Sequence, residues 1–200
     1  YRVGSIRQPA SMVPHRPGRT IQEVDHTRGA VDPPCRDAGL QCIEYFRLMA
    51  GLPPGLALDA SWNAKCQQAA LMMAVNNSVS HAPPASWRCY TSAGAEAART
   101  SNLAVGFRSL PEAVAGWMSD EGLAGLGHRR WLLYPPLAKV GIGAVDGYRP
   151  TAHALWVTGA TGTRPQEPEF VAWPPPGWVP YPVVYPAWSF SMAGASFASA

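Results

Sequence analysis

Two histidines and a few acidic residues are the side chains best suited to acid–base or metal chemistry in this sequence of 200 residues. His81 and His128 lie 47 positions apart, and neither belongs to an H-E-x-x-H or H-x-H motif that would signal a local metal site. If the fold brings both imidazoles together with Asp120 or Glu121, three protein ligands and a water molecule would make a zinc site. Such a site needs neutral imidazoles, so its affinity would fall below about pH 6.5.

The same residues also have structural interpretations. His81 follows a predicted helix end, where a histidine commonly binds backbone carbonyls. His128 follows Gly127 and precedes two arginines, a position that is typical of the first residue of a helix. Ser101 near a histidine and an acid would suggest a hydrolytic triad. The G-x-S-x-G motif that marks such a nucleophile is absent from the sequence. Binding without catalysis and metal-dependent hydrolysis therefore both stay open at this point.

The cysteines favour an oxidising compartment. Cys35, Cys42, Cys66 and Cys89 form neither a C-x-x-C pair nor a C-x-x-C-H haem-attachment motif, which argues against a zinc ribbon and a thioredoxin-like site. An even number without metal-ligand spacing is typical of two disulfides in a secreted protein, and four buried thiols in a cytosolic protein are the alternative. The chain starts at Tyr1 without a signal-peptide pattern, which fits a processed secreted chain or a fragment.

The composition excludes several classes of protein. Apolar residues make up 47% of the chain and charged residues 14%, which excludes a disordered polyelectrolyte and a coiled coil. The net charge is +3 and the arginines are scattered singly, so we expect no nucleic-acid partner. No apolar run reaches the roughly 18 residues of a membrane-spanning helix.

Apolar spacing and turn residues predict helices first and strands afterwards, which is typical of an α+β domain with helices packed on a small antiparallel sheet. The predicted helices are one over 42–52, one that Asp59 caps and Asn76-Asn77 ends, one that begins at Pro111, and a short one over 128–134. The predicted strands cover 101–105, 140–145 and 152–157, the last two joined by a turn at Asp146-Gly147.

Proline-rich segments flank this domain. Five prolines break residues 1–34, which we interpret as an extended N-terminal arm preceding a domain over 35–162. Residues 163–200 form a strap rich in proline and aromatic residues, followed by a terminal strand in which Trp188 alternates with serine. We expect Trp173, Trp178 and Trp188 to be largely buried against the domain, because so many exposed rings would aggregate a monomer.

Motifs over about residues 38–158 occur together in an order that resembles the CAP domain of the cysteine-rich secretory, antigen 5 and pathogenesis-related superfamily. They are Gly51-Leu-Pro-Pro-Gly-Leu-Ala-Leu-Asp59, the helix ending at Asn76-Asn77, His81-Ala-Pro83, Ser101-Asn-Leu-Ala104, Ala113-Val-Ala-Gly-Trp117, Gly127-His-Arg-Arg-Trp-Leu-Leu-Tyr-Pro135 and Val140-Gly-Ile-Gly143. The resemblance implies a secreted α/β/α sandwich with a shallow cleft, and this chain looks like a divergent, bacterial-type member.

In many members of that family the cleft holds two histidines and two acidic residues, and in some it binds a divalent metal. The resemblance places His81 and His128 on the two histidine positions. It places Ser101 where the family has a glutamate before Asn-Leu, and Asp120 or Glu121 where it has the second carboxylate. With one carboxylate replaced, we expect no cofactor or at most weak binding of a divalent metal such as zinc.

The resemblance and the composition together predict a secreted binding or structural module, extracellular or periplasmic. Its cleft or arms would engage a lipid, glycan, peptide or larger protein assembly. A metal-dependent hydrolase with a site at His81 and His128 is the alternative, so the sequence leaves enzymatic activity undecided. Because the helix with Cys66 and the loop with Cys89 would flank the same cleft, we expect a Cys66–Cys89 disulfide, with Cys35–Cys42 closing a short loop.

Overall fold

The fold is given by a computed structural model that describes residues 33–146, 150–159, 161–163, 165 and 168–195. Three parts of the sequence prediction lie wholly or partly outside the described residues. They are residues 1–32 of the predicted arm over 1–34, Gly147 of the predicted turn, and residues 164, 166, 167 and 196–200 of the predicted strap. The described elements are α1 (Pro33–Met49), β1 (Ala57–Leu58), α2 (Ala60–Asn76), α3 (Ser92–Thr100), β2 (Ser101–Val105), α4 (Leu110–Ser119), α5 (Gly127–Leu132), β3 (Lys139–Val145), β4 (Ala152–Trp156), β5 (Phe170–Trp173), a 3₁₀ turn (Tyr181–Val183) and β6 (Ser189–Met192).

A four-stranded sheet in the order β1-β3-β4-β2 forms the centre of the fold. The predicted strands β2, β3 and β4 pair antiparallel, while the unpredicted two-residue β1 adds a parallel edge to β3. Side chains alternate across this sheet, so Ile142 and Leu155 face one helical layer and Gly141 and Trp156 face the other. Helices on both faces make the predicted α/β/α sandwich.

On one face α2 lies directly against β3. Cys66, Ala69 and Ala70 of α2 are fully buried in a layer of mostly small side chains that includes α3. A Cβ atom on Gly143 would lie 2.1 Å from the backbone carbonyl carbon of Cys66, and one on Gly141 would lie 2.4 Å from the Trp62 Cβ. Glycine at these two positions of the Val-Gly-Ile-Gly motif therefore sets how closely the helix approaches the sheet.

The opposite face carries a larger apolar core, to which α1, α4 and α5 contribute. Arg47 of α1 is buried within it, and its guanidinium donates to the carbonyl oxygens of Leu132, Tyr134 and Leu137 at 2.9, 3.0 and 3.3 Å. These bonds tie α1 to the segment that runs from the end of α5 at Leu132 to Leu137. Within the described residues, no helix has the length and apolar character that spanning a membrane requires.

Two helices differ from the sequence prediction. α1 begins at Pro33, nine residues before the predicted start at Cys42, and thus includes the last two residues of the predicted arm. Proline at the first helical positions suits a helix start, since no hydrogen-bond donor is needed there. The alanine-rich α3 was not predicted at all; Thr91 caps it by accepting from the backbone N–H of Gly94 at 2.9 Å.

The C-terminal strap folds as a hairpin of β5 and β6, joined by a proline-rich loop. Trp173 is fully buried, packs on Phe46 of α1 and donates from Nε1 to the Val183 carbonyl at 3.1 Å. Trp178 and Trp188 are exposed, so the prediction that all three tryptophans are buried is wrong for these two. Trp173 is joined in the core by Val171, while Val183 and Tyr185 of the loop pack against the same core, so the hairpin is anchored without Trp178 and Trp188.

Candidate functional site

Among the predicted site residues, Asp120 and His128 form a hydrogen-bonded pair. His128 Nδ1 lies 2.7 Å from Asp120 Oδ1, and the carboxylate side chain is almost wholly buried. Oδ2 of the same carboxylate accepts from the backbone N–H of His128 at 3.0 Å and of Arg129 at 3.4 Å. Because a carboxylate only accepts, Nδ1 of His128 carries its proton and Nε2 faces away from this bond.

Local sequence explains why Asp120 stands there. Ser109 caps the start of α4, and Asp120 ends that helix in a left-handed conformation with φ of 50°. An aspartate tolerates this conformation, and the turn directs its carboxylate at the first backbone N–H groups of α5. Asp120 therefore joins the end of one helix to the start of the next and orients His128.

His81 is held by a different element. Its Nδ1 lies 2.8 Å from the carbonyl oxygen of Ala98, in the last turn of α3. Four residues farther along the chain, Asn102 of β2 donates to the backbone carbonyl of His128 at 3.1 Å. Both predicted histidine positions are thus tied to the α3–β2 segment, each by contacts that leave its Nε2 atom available.

The other two candidates do not join the pair. Ser101 is buried, and its hydroxyl lies 3.7 Å from the sulfur of Cys66 on the α2 side of the sheet. Glu121 is exposed, so Asp120 is the one of the two predicted carboxylates that contacts a histidine. Within the described part of the chain, no three His, Cys, Asp or Glu side chains are grouped as a metal ion would require.

The four cysteines are thiols, so the structure contains neither predicted disulfide. Cys35 and Cys42 both lie in α1, seven residues apart, where the helical rise separates their Cα atoms by about 10.5 Å, beyond the roughly 7 Å that a disulfide spans. Cys66 points into the helix–sheet layer, where it contacts Ser101 and donates to the Gly141 carbonyl at 3.5 Å. Burial raises the pKa of the Cys66 thiol to about 11.

A second polar cluster, not predicted from the sequence, lies where β3 ends and β4 begins. His153 is fully buried, and its Nε2 lies 2.8 Å from Asp146 Oδ1. Cys35 of α1 donates from its sulfur to Oδ2 of the same carboxylate at 3.0 Å. The cluster fastens the start of α1 to the central hairpin. A histidine alternating with apolar residues in a predicted strand was the signal that could have pointed to it.

Comparison with protein families gives one match. The model of the CAP family, described as the cysteine-rich secretory protein family, matches residues 40–159. This covers more than half of the chain. The protein belongs to the CAP family. A search of the curated proteins found no match.

In this CAP domain, Arg129 links the Asp120–His128 pair to the C-terminal strap. It follows His128 in α5, is fully buried, and donates to the carbonyl oxygen of Ala187 at 2.7 Å and to the Ser189 hydroxyl at 3.3 Å. Its guanidinium also lies 5.9 Å from the centre of the Tyr185 ring. Sequence reasoning missed this role. The available signal was the spacing of Arg129 with Leu132 and Leu133, which puts the arginine on the apolar face of its helix.

The strap presents an open groove of about 690 Å³ on its outer side, which we name the aromatic groove. Its lining residues belong to the hairpin and its loop: Ala172, Trp173, Pro174, Pro175, Pro176, Gly177, Trp178, Val179, Val184, Trp188, Ser189 and Phe190. Trp178 and Trp188 are 103% and 72% exposed, and nearby Tyr181 is 88% exposed. The hairpin therefore holds large aromatic rings in water instead of burying them.

Proposed function

We propose that this CAP domain is a secreted, non-catalytic binding module whose ligand binds in the aromatic groove. The observation that carries the proposal is the exposure of Trp178, Tyr181 and Trp188 on an ordered hairpin. Family membership supports an extracellular location. The cysteines do not add to this support, because all four are thiols and disulfides were the expected sign of an oxidising compartment.

The size of the exposed aromatic surface supports a binding role. At roughly 200 Å² for each large ring, Trp178, Tyr181 and Trp188 leave on the order of 500 Å² of aromatic surface in water. Trp178 and Trp188, which supply most of this area, line one groove, and large exposed apolar surfaces of this kind are often functional. These three rings do not anchor the hairpin, because Trp173 and Tyr185 supply its aromatic contacts with the core.

Rigidity supports the same role. Trp178 lies two residues from Pro176 and two from Pro180, and Tyr181 stands between Pro180 and Pro182. Proline fixes its own φ angle, so the backbone that carries these rings has little conformational freedom left to lose when a ligand binds. A surface that is ordered in advance loses less conformational entropy on binding and so gains affinity.

The contacts of the cleft favour a structural role for its carboxylate. Both oxygens of Asp120 are occupied by the start of α5, and the Ser101 hydroxyl is directed at Cys66. Water activation needs either a base with a free lone pair near the water or a metal held by several ligands. His128 Nε2 is the one such base that the Asp120–His128 pair offers, with its orientation already set by Asp120.

Binding and zinc titrations test the proposal. We expect Trp178→Ala combined with Trp188→Ala to abolish binding to whichever of three probes the unmodified protein binds: neutral hexasaccharides, phosphatidylcholine vesicles or a polyproline peptide. We also expect no sub-micromolar zinc affinity by calorimetry at pH 7.5. Sub-micromolar zinc binding and ester hydrolysis that His81→Ala or His128→Ala abolishes would overturn the proposal in favour of the hydrolase.

A further inference from the structure

We propose that the aromatic groove binds an uncharged polysaccharide, an inference that rests on the proposed function and names its ligand class. Three properties of the strap lead to it: the absence of charge, the excess of hydrogen-bond acceptors over donors, and the exposed flat faces of two tryptophans. Each property excludes a different group of partners.

The strap carries almost no charge. Between residues 168 and 195, the only Asp, Glu, Lys or Arg residue is Glu169. Nucleic acids, acidic glycans and anionic lipid surfaces are bound largely through Lys and Arg, which this surface does not provide. Charge complementarity therefore favours a neutral ligand.

The backbone of the strap offers many acceptors and few donors. Six of the thirteen residues from Pro174 to Pro186 are prolines, so the segment has thirteen carbonyl groups but only seven N–H groups. Two of those N–H groups, on Val183 and Val184, already donate within the 3₁₀ turn, and the carbonyls of Pro180, Tyr181 and Val183 already accept, so the excess of acceptors remains. A ligand that fits this surface must bring donors, and the hydroxyl groups of a sugar do so.

The tryptophan faces match the other part of a sugar. A pyranose ring has an apolar face of C–H groups and a polar edge of hydroxyls, so it can stack on an indole while its edge forms hydrogen bonds. Trp178 and Trp188 line the same groove and are 103% and 72% exposed. The groove volume lies in the range of about 300–1,000 Å³ that is typical of small-ligand sites.

Other occupants fit this surface less well. A polyproline peptide lies well in aromatic grooves, but it brings mostly carbonyl acceptors to a surface that already has too many. Insertion into a bilayer would remove water from the same carbonyls without replacing their hydrogen bonds. A second copy of the chain would place two acceptor-rich surfaces together.

Calorimetric titration with cellohexaose, chitohexaose and laminarihexaose tests the inference on the whole chain. We expect at least one hexasaccharide to bind, and Trp178→Ala or Trp188→Ala to weaken that binding at least tenfold. Trp131→Ala is the matched control, because this tryptophan is 40% exposed on α5, outside the groove. We expect the control to change the affinity less than twofold, with all three variants keeping the melting temperature of the parent.

The remaining outcomes separate this inference from the proposed function. Vesicles of phosphatidylcholine or a polyproline peptide that bind through Trp178, with no hexasaccharide bound, would overturn the sugar ligand and support the binding module. Hexasaccharide binding that survives in the double variant would overturn the groove as its site. No binding of any probe, or a dimer that Trp178→Ala dissociates, would overturn both.

Discussion

Asp120 illustrates how much one side chain does in the cleft. Its carboxylate accepts from Nδ1 and the backbone N–H of His128 and from the backbone N–H of Arg129. The same residue thereby fixes the ring of His128 and helps hold the arginine that binds the strap. We infer that Asp120 is a positioning residue, whose loss would disturb the cleft and the strap together.

The Asp120→Asn variant tests this role without changing side-chain size. Asparagine tolerates the left-handed backbone. Its NH₂ group, however, cannot accept, so at least one of the hydrogen bonds that the carboxylate accepts from His128 and Arg129 is lost. We expect the free energy of unfolding to fall by about 1–3 kcal/mol. We also expect the ¹⁵N resonances of the His128 ring to show a loss of the Nδ1–H tautomer. Glu121→Gln, at the exposed neighbour, should change neither; an unchanged tautomer in Asp120→Asn would contradict the role.

The buried thiols make stability depend on alkaline pH. Burial raises the pKa of Cys42 and of Cys66 to about 11 each. In the unfolded chain a thiol ionises near pH 8.5, so their stabilising contribution is complete below that pH and is lost as pH rises towards 11. We expect urea unfolding to show a loss of about 1–3 kcal/mol per thiol over this range.

Cysteine variants show whether the thiols cause this loss. Cys66→Ala and Cys42→Ala should each be less stable than the parent at pH 8 because they leave a small cavity. Between pH 8.5 and 11, however, each should lose less stability than the parent does. Equal losses in the parent and both variants would mean that other groups are responsible.

At the scale of elements, the contact of α2 with β3 limits what the sheet can carry. Gly143→Ala would place a methyl group 2.1 Å from the Cys66 carbonyl carbon, and neither backbone can move away without breaking its own hydrogen bonds. We expect this variant to lose about 3 kcal/mol or more in urea unfolding. Gly125→Ala, where no atom lies within 4 Å, should stay within about 0.5 kcal/mol of the parent. Similar losses in the two variants would contradict a helix in direct contact with the sheet.

The elements that the sequence predicts are those with a local signal. Asp59 caps α2 as expected, and apolar runs separated by a turn predict β3 and β4. α3 and β1 were missed for physical reasons. α3 is stabilised by packing of alanines on α2, and the two-residue β1 exists only because β3 lies beside it. Contacts between distant residues cannot be found from local spacing.

The candidate site residues also divide into those with a local sequence signal and those fixed by contacts between distant residues. His128 and a carboxylate three residues after Trp117 could be matched in order along the chain, and the structure pairs them. The direction of the Ser101 side chain depends on the register of β2 with β4, which puts the hydroxyl on the Cys66 side. Arg129 binds residues about 60 positions away, so its role appears only in the folded chain.

For the whole molecule, the strap has one structural and two exposed tryptophans. Trp173 fills the core beside Phe46, so Trp173→Ala should lower the free energy of unfolding by about 3–5 kcal/mol. Trp178→Ala should change it by less than about 0.5 kcal/mol, because its ring is exposed. Chemical unfolding of both variants measures the difference. Equal effects would contradict this division of roles within the strap.

The position of Trp173 also constrains how the protein can be made. Phe46 belongs to the first described helix, and β1 pairs with a strand about eighty residues farther along the chain. In a nascent chain the surface of Phe46 that Trp173 covers therefore stays exposed until the strap has left the ribosome, after α1 to α5 have been synthesised. Contacts this distant close slowly, so apolar surface stays exposed during synthesis and chaperones can bind it. The contact between Trp173 and Phe46 therefore forms only after the strap has been synthesised.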